Sequence, residues 1–165
     1  DSGDFVELLS TVMAQSKTRG ALAMRMSYGI AKMKTVARIS GASARKQFST
    51  PKTFYFYFNE QSVGFDPSTI TFYGFLQSSS PNEFTLAQLD QLEDTRELET
   101  GSVNNYTTEF GIDERHARAF DIETLAPGVF KVNTADLDPG EYCFVYAGSA
   151  PQGQSQQRVF DFGVR

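Results

Sequence analysis

The sequence predicts a mostly β protein, an antiparallel β-sandwich carrying a short N-terminal helix. Thr53 to Phe58 holds five consecutive aromatics among six residues of high β-propensity. The last third alternates short β-branched and aromatic runs with Ala126-Pro127-Gly128 and Asp138-Pro139-Gly140. In such turns proline presets φ and glycine takes φ > 0 without a Cβ penalty. Eight or nine short strands at this spacing, with little helix, mean a sandwich or a barrel.

The elements follow from local patterns. Over residues 4–15, Asp4 and Glu7 form a capping-box-like pair, and Phe5, Leu8, Leu9, Val12 and Met13 fall on one helical face. The spacing predicts a helix there, covering the sheet or docking on another protein. Leu22, Met24 and Met26 alternate as in a strand, although the same residues suit a helix. Alternation from Lys32 to Ile39, the turn Ser40-Gly41-Ala42-Ser43 and the return to Phe48 predict a basic hairpin over 32–49.

In the aromatic strand, Phe54, Phe56 and Phe58 point to one face and Tyr55 and Tyr57 to the other. Rings on both faces imply a central strand covered on both sides. The Phe row belongs in a core, and the Tyr row lies under a second layer or forms a partly wet platform. Further strands are expected over 69–76, 84–89, 96–100, 119–125, 129–133, 141–146 and 159–164. A helix over 85–94 competes with the pair 84–89 and 96–100, and 101–115 reads as the longest loop. Residues 1–20 are helix and linker, and 21–165 one sandwich domain.

The chain of 165 residues has a formal net charge of −5, unevenly spread. Lys17 to Lys52 contains nine Lys/Arg and no acid, whereas 53–165 carries six basic and seventeen acidic residues. The two parts pack with complementary fields, or the basic part faces an anionic partner. No apolar run approaches the length of a membrane span. A lone Cys143 excludes an internal disulfide and, within Tyr142-Cys143-Phe144-Val145-Tyr146, reads as a buried structural thiol.

Leu137-Asp138-Pro139-Gly140-Glu141-Tyr142-Cys143-Phe144 resembles the tyrosine corner of immunoglobulin-like sandwiches, in which the Tyr hydroxyl bonds to upstream backbone. Phe144 stands where the disulfide Cys would be, so the disulfide logic is absent. The motif makes the predicted fold an immunoglobulin-like antiparallel β-sandwich. Together with Pro51 to Phe58, Ser80-Pro81-Asn82-Glu83-Phe84, Arg96-Glu97-Leu98, Leu125 to Phe130 and Phe160-Asp161-Phe162-Gly163-Val164, it also resembles landmarks of uncharacterised bacterial proteins, many of them exported. The resemblance covers residues 28–165. It implies a recurring bacterial β module in the periplasm or outside the cell, and no assigned activity. The chain starts at Asp1 without a Met, which leaves a cleaved leader open.

Residues for chemistry are sparse. His116 is the only histidine, and no second His or Cys stands at zinc-ligand spacing. Gly41-Ala42-Ser43-Ala44 lacks the closing Gly of a nucleophile elbow. Asp90, Glu93, Asp94, Glu97 and Glu99 could pair for glycoside hydrolysis, but a solvated acidic hairpin face explains them with less. Asn104, Asn105, Glu109, Asp113 and Glu114 lack calcium-loop spacing, and no phosphate-cradling glycine loop precedes a helix. Asn105-Tyr106-Thr107 is a glycosylation sequon.

The expected function is therefore a non-enzymatic binding module without cofactor or metal, whose partner is another protein. The alternative is polyanion or nucleic-acid binding through the basic hairpin. The candidate partner surface is Lys32, Lys34, Arg38, Arg45 and Lys46, with Tyr55 and Tyr57 as stacking rings.

Overall fold

The computed structural model describes residues 5–49, 53–58, 78–134, 137–147 and 156–165. The strand expected over 69–76 lies outside them. Six extended segments form β1 (Ser10–Arg19), β2 (Met33–Ser40), β5 (Phe84–Gln91), β6 (Thr95–Val103), β11 (Gly140–Tyr146) and β12 (Gln156–Val164). Their antiparallel pairing runs β6-β2-β1-β12-β11-β5, and Asp90↔Glu97 and Gln91↔Arg96 return β5 to β6. The large sheet thus closes into a six-stranded barrel. The short strands β3 (Gln47–Phe48), β7 (Thr108–Phe110) and β8 (Ala117–Arg118) join its margins. One helix, α1 (Ala21–Met26), links β1 to β2.

Closure follows from side chains that every stave sends inward. Met13 comes from β1, Ala37 and Ile39 from β2, Ala87 and Leu89 from β5, Leu98 from β6, Cys143 and Val145 from β11, and Val159 from β12. A filled lumen of this kind is a core and not a pore.

The alternate residues of one wall make a second core. Phe84, Leu86, Tyr142, Phe144, Phe162 and Val164 face outward from β5, β11 and β12, against a separate three-stranded sheet. That sheet comprises β4 (Thr53–Tyr57), β10 (Val129–Thr134) and β9 (Phe120–Ala126). Phe54 of β4 is buried edge-on against Phe144 at 5.1 Å, and Phe56 meets Phe144 at 5.2 Å. The ring quadrupoles favour such edge-to-face geometries.

The mostly β, antiparallel character with one short helix is present. Among the described residues, layer-on-layer packing of the sandwich type occurs between the barrel wall and the small sheet. Tyr142 Oη donates to the Asp138 carbonyl at 2.8 Å, the bond that the corner motif requires. The strands of the C-terminal third stand within a residue or so of their expected places, apart from a longer β12.

Several local expectations are corrected. The helix over 4–15 does not form: residues 5–9 have no regular structure, and Ser10 onward is a barrel stave. In that stave the strand period puts Met13 in the lumen, while Phe5, Leu9 and Val12 stay exposed. Residues 21–26 are helix, not strand. The hairpin over 32–49 is not made, because β2 pairs with β1 and β6 while β3 runs parallel to β12. The competing helix over 85–94 is replaced by β5 and a tight turn in which Leu92 N donates to Thr95 O at 2.8 Å. The expected loop 101–115 holds the end of β6 and β7, paired as a hairpin.

Candidate functional site

The proposed partner residues fall on two sides of the molecule. In the cyclic order of staves β2 lies opposite β11, and it is the β5-β11-β12 wall that carries the small sheet. Lys32, Lys34 and Arg38, in and just before β2, are therefore separated by the barrel from Tyr55 and Tyr57 on β4.

On the β2 side the cations meet acids of β6 and β7. Lys32 Nζ donates to both Glu109 oxygens at 2.7 Å, and Lys34 Nζ to Glu99 at 2.6 Å. Arg38 Nε donates to Glu97 Oε1 at 2.8 Å, and Arg19 reaches the same carboxylate at 2.9 Å. The Lys32 ammonium, aided by the Ser102 hydroxyl, holds the Glu109 carboxyl below its ordinary range. Basic and acidic parts of the sequence thus meet as a ladder across the β2–β6 pairing. Arg45 and Lys46 are exposed and have no ion pair among the described residues.

On the other side, β4 presents Tyr55 at 37 % and Tyr57 at 71 % exposure. Among the described residues its Phe side meets the barrel, and its Tyr side is largely wet. Register places Tyr55 beside Lys131 and Glu123, and Tyr57 beside Val129 and Ala126. Lys131 pairs with Glu123 at 3.5 Å, and Leu125 of β9 is also exposed. Phe5 stands edge-on to Tyr55 at 5.4 Å, a contact that helical spacing hid. The result is an aromatic, mixed-charge platform backed by a rigid core.

The groups with reactive potential are engaged. Cys143 is wholly buried in the lumen, and burial pushes its thiol well above its ordinary value. Arg96, from β6, reaches across the lumen to Asp161 at 2.6 Å and Glu141 at 3.3 Å. Glu141 also accepts from Ala44 N at 2.7 Å and Gln47 Nε2 at 2.9 Å, which fixes the segment closing that end. Thr11 donates to Asp161. His116 Nδ1 lies 3.1 Å from the Gln88 carbonyl, and Arg115 clamps Asp113, holding its carboxyl far below the usual range. Among the described residues no group of three or more His, Cys, Asp and Glu could hold a metal ion. Nor, among them, is any helix long and apolar enough to cross a membrane.

Compared with family models, curated proteins and solved structures, the chain matches none.

Proposed function

We propose that this protein is a non-enzymatic binding module that meets another protein through the outward face of β4-β10-β9. The observation that carries the reading is Tyr57, 71 % exposed beside Tyr55 on a strand whose reverse face is locked into the core. Tyrosine offers large contact area with a polar tip at low entropic cost, which suits interface centres. The engagement of Cys143, His116 and Asp113 in structural contacts supports a binding role over a catalytic one. An extracytoplasmic location is supported by the resemblance to exported bacterial proteins. The tyrosine corner supports an immunoglobulin-like relationship, while the closed barrel speaks against it.

Capture from an extract of the source organism, with wild type and Tyr55→Ser/Tyr57→Ser side by side, tests the reading. A specific protein retained by the wild type and lost by the variant is expected. Identical captured sets would sink it.

Polyanion binding through residues 32–49 is the second reading. The exposure of Arg45 and Lys46 favours it, and the pairing of Lys32, Lys34 and Arg38 with Glu109, Glu99 and Glu97 weighs against it. Binding to heparin or single-stranded DNA that weakens steeply with salt and is lost in Lys32→Glu/Lys34→Glu/Arg38→Glu would support it. No binding at low salt excludes it.

A further inference from the structure

The α1 end of the barrel carries a second exposed surface, of different chemistry. Leu22 and Met26 of α1, Ile30 after it, and Tyr106 from the β6–β7 turn are each between 66 % and 76 % exposed, and Tyr28 is 91 % exposed. No residue of α1 is buried. Scattered apolar residues on a surface are ordinary, but these converge from two distant segments.

The display is built, not frayed. After α1, Gly29 N returns to Met24 O at 2.7 Å, and Ala31 N donates to Ser27 Oγ at 2.7 Å. Asn105 N donates to Gly29 O at 3.1 Å, and Asn104 Nδ2 to Ile30 O at 3.1 Å. Gly29 sits at φ 86, where L side chains are strained, and a Cβ there would also displace the Asn105 side-chain amide, 1.8 Å away. Tyr28, at φ 54, is the one non-glycine residue with positive φ among those described. Its ring is held out in water by a backbone conformation that L side chains rarely adopt.

Charge says what the surface faces. Arg19, Arg25, Lys32, Lys34 and Arg38 run along this side, against Glu97, Glu99 and Glu109. Four of those five cations are paired with the three carboxylates, and Asp90 stands across from Glu97 in the β5–β6 register, so Arg25 is the cation left over. Arg115 and Asp113 beside them pair with each other. Arg25, in the last turn of α1 between Leu22 and Met26 in sequence, has no ion pair among the described residues. Aliphatic tips flanked by tyrosine hydroxyls and a guanidinium without an ion pair match the layers of a lipid–water interface: acyl boundary, headgroup and phosphate. A nucleic acid would gain nothing from Leu22, Met26 and Ile30.

We propose that the α1 end is a shallow docking tip for an anionic lipid bilayer, on which Leu22, Met26 and Ile30 insert while Arg25 meets phosphate. This surface is distinct from the tyrosine platform, so either can fail alone. Vesicle flotation of the whole chain, with phosphatidylcholine alone and with added phosphatidylglycerol, tests it. Because the chain has no Trp, Ile30→Trp supplies a sole tryptophan, excited apart from the tyrosines, as reporter. Expected are flotation with anionic vesicles, roughly tenfold weaker without them, and a blue shift of the reporter's emission on binding. Leu22→Ser/Met26→Ser/Ile30→Ser, all at exposed positions, should keep the melting temperature and lose roughly tenfold or more in binding. Arg25→Glu should weaken binding to the anionic vesicles alone. Absence of flotation at low salt, or undiminished binding by the triple variant, overturns the proposal. So does self-association without vesicles that the triple variant abolishes, which would make a second copy the occupant.

Discussion

Arg96 projects into the lumen beside its apolar side chains and pins β6 to β11 and β12 on the far wall through the buried carboxylates of Glu141 and Asp161. Removing one partner of a buried ionic group leaves the others uncompensated. Arg96→Ala should therefore cost about 3–5 kcal/mol in chemical denaturation; a loss below about 1 kcal/mol would mean the pin is idle. Cys143 gives a second test. Burial, with the Asp161 carboxylate adding to it, raises the folded thiol above its ordinary 9.0. Stability from the neutral thiol is thus full below that value and falls as pH rises past it. Between about pH 9 and 10 the wild type should lose up to about 1.4 kcal/mol more than Cys143→Ala. The native thiol should also resist alkylation at neutral pH and react once the chain unfolds. The environment of Cys143 was legible, because it stands in an unbroken run of β-forming residues; the Arg96 network was not, since its members lie 45 and 65 positions apart.

At the element scale, β4 divides its labour between faces. Phe54→Ala empties a site packed by Phe48, Phe144 and Phe162 and should cost about 3–5 kcal/mol. Tyr57→Ser, on the wet side, should change stability by no more than about 0.5 kcal/mol. Equal losses at the two positions would show that β4 is covered on both faces after all. Period-2 alternation revealed which rings share a face but not how many layers the chain supplies to cover them. The same ambiguity misled over β1: Phe5, Leu8, Leu9, Val12 and Met13 fit a helical stripe, yet Met13 alone among them reaches the lumen core. The Pro127-Gly128 turn left no such freedom, with Gly128 at φ 69, so β9 and β10 were legible from local chemistry, whereas Gly140 does not take positive φ and instead opens β11.

For the whole molecule, the uneven charge was visible in composition, and its meaning was not. Which acid meets Lys34 or Arg38 depends on the β2–β6 register, a pairing between segments far apart in the chain. Barrel closure is likewise a long-range fact, resting on the return of β5 to β6. Deleting residues 1–16 removes the β1 pairing with β12 and opens the ring. Cooperative thermal unfolding should be lost, with a broad transition and dye-binding apolar surface in its place. An unchanged melting curve would show that β1 is dispensable to closure.

The antiparallel seam between β1 and β12 also sets how the ring responds to load. Ser10 lies across from Phe160, so the outer ends of these two strands depart from the same rim. Traction on both would meet the seam's hydrogen bonds singly and in sequence, as a zipper does. Stretched between two anchors, the protein should part there at low force, while pressure across the staves is borne by the packed interior.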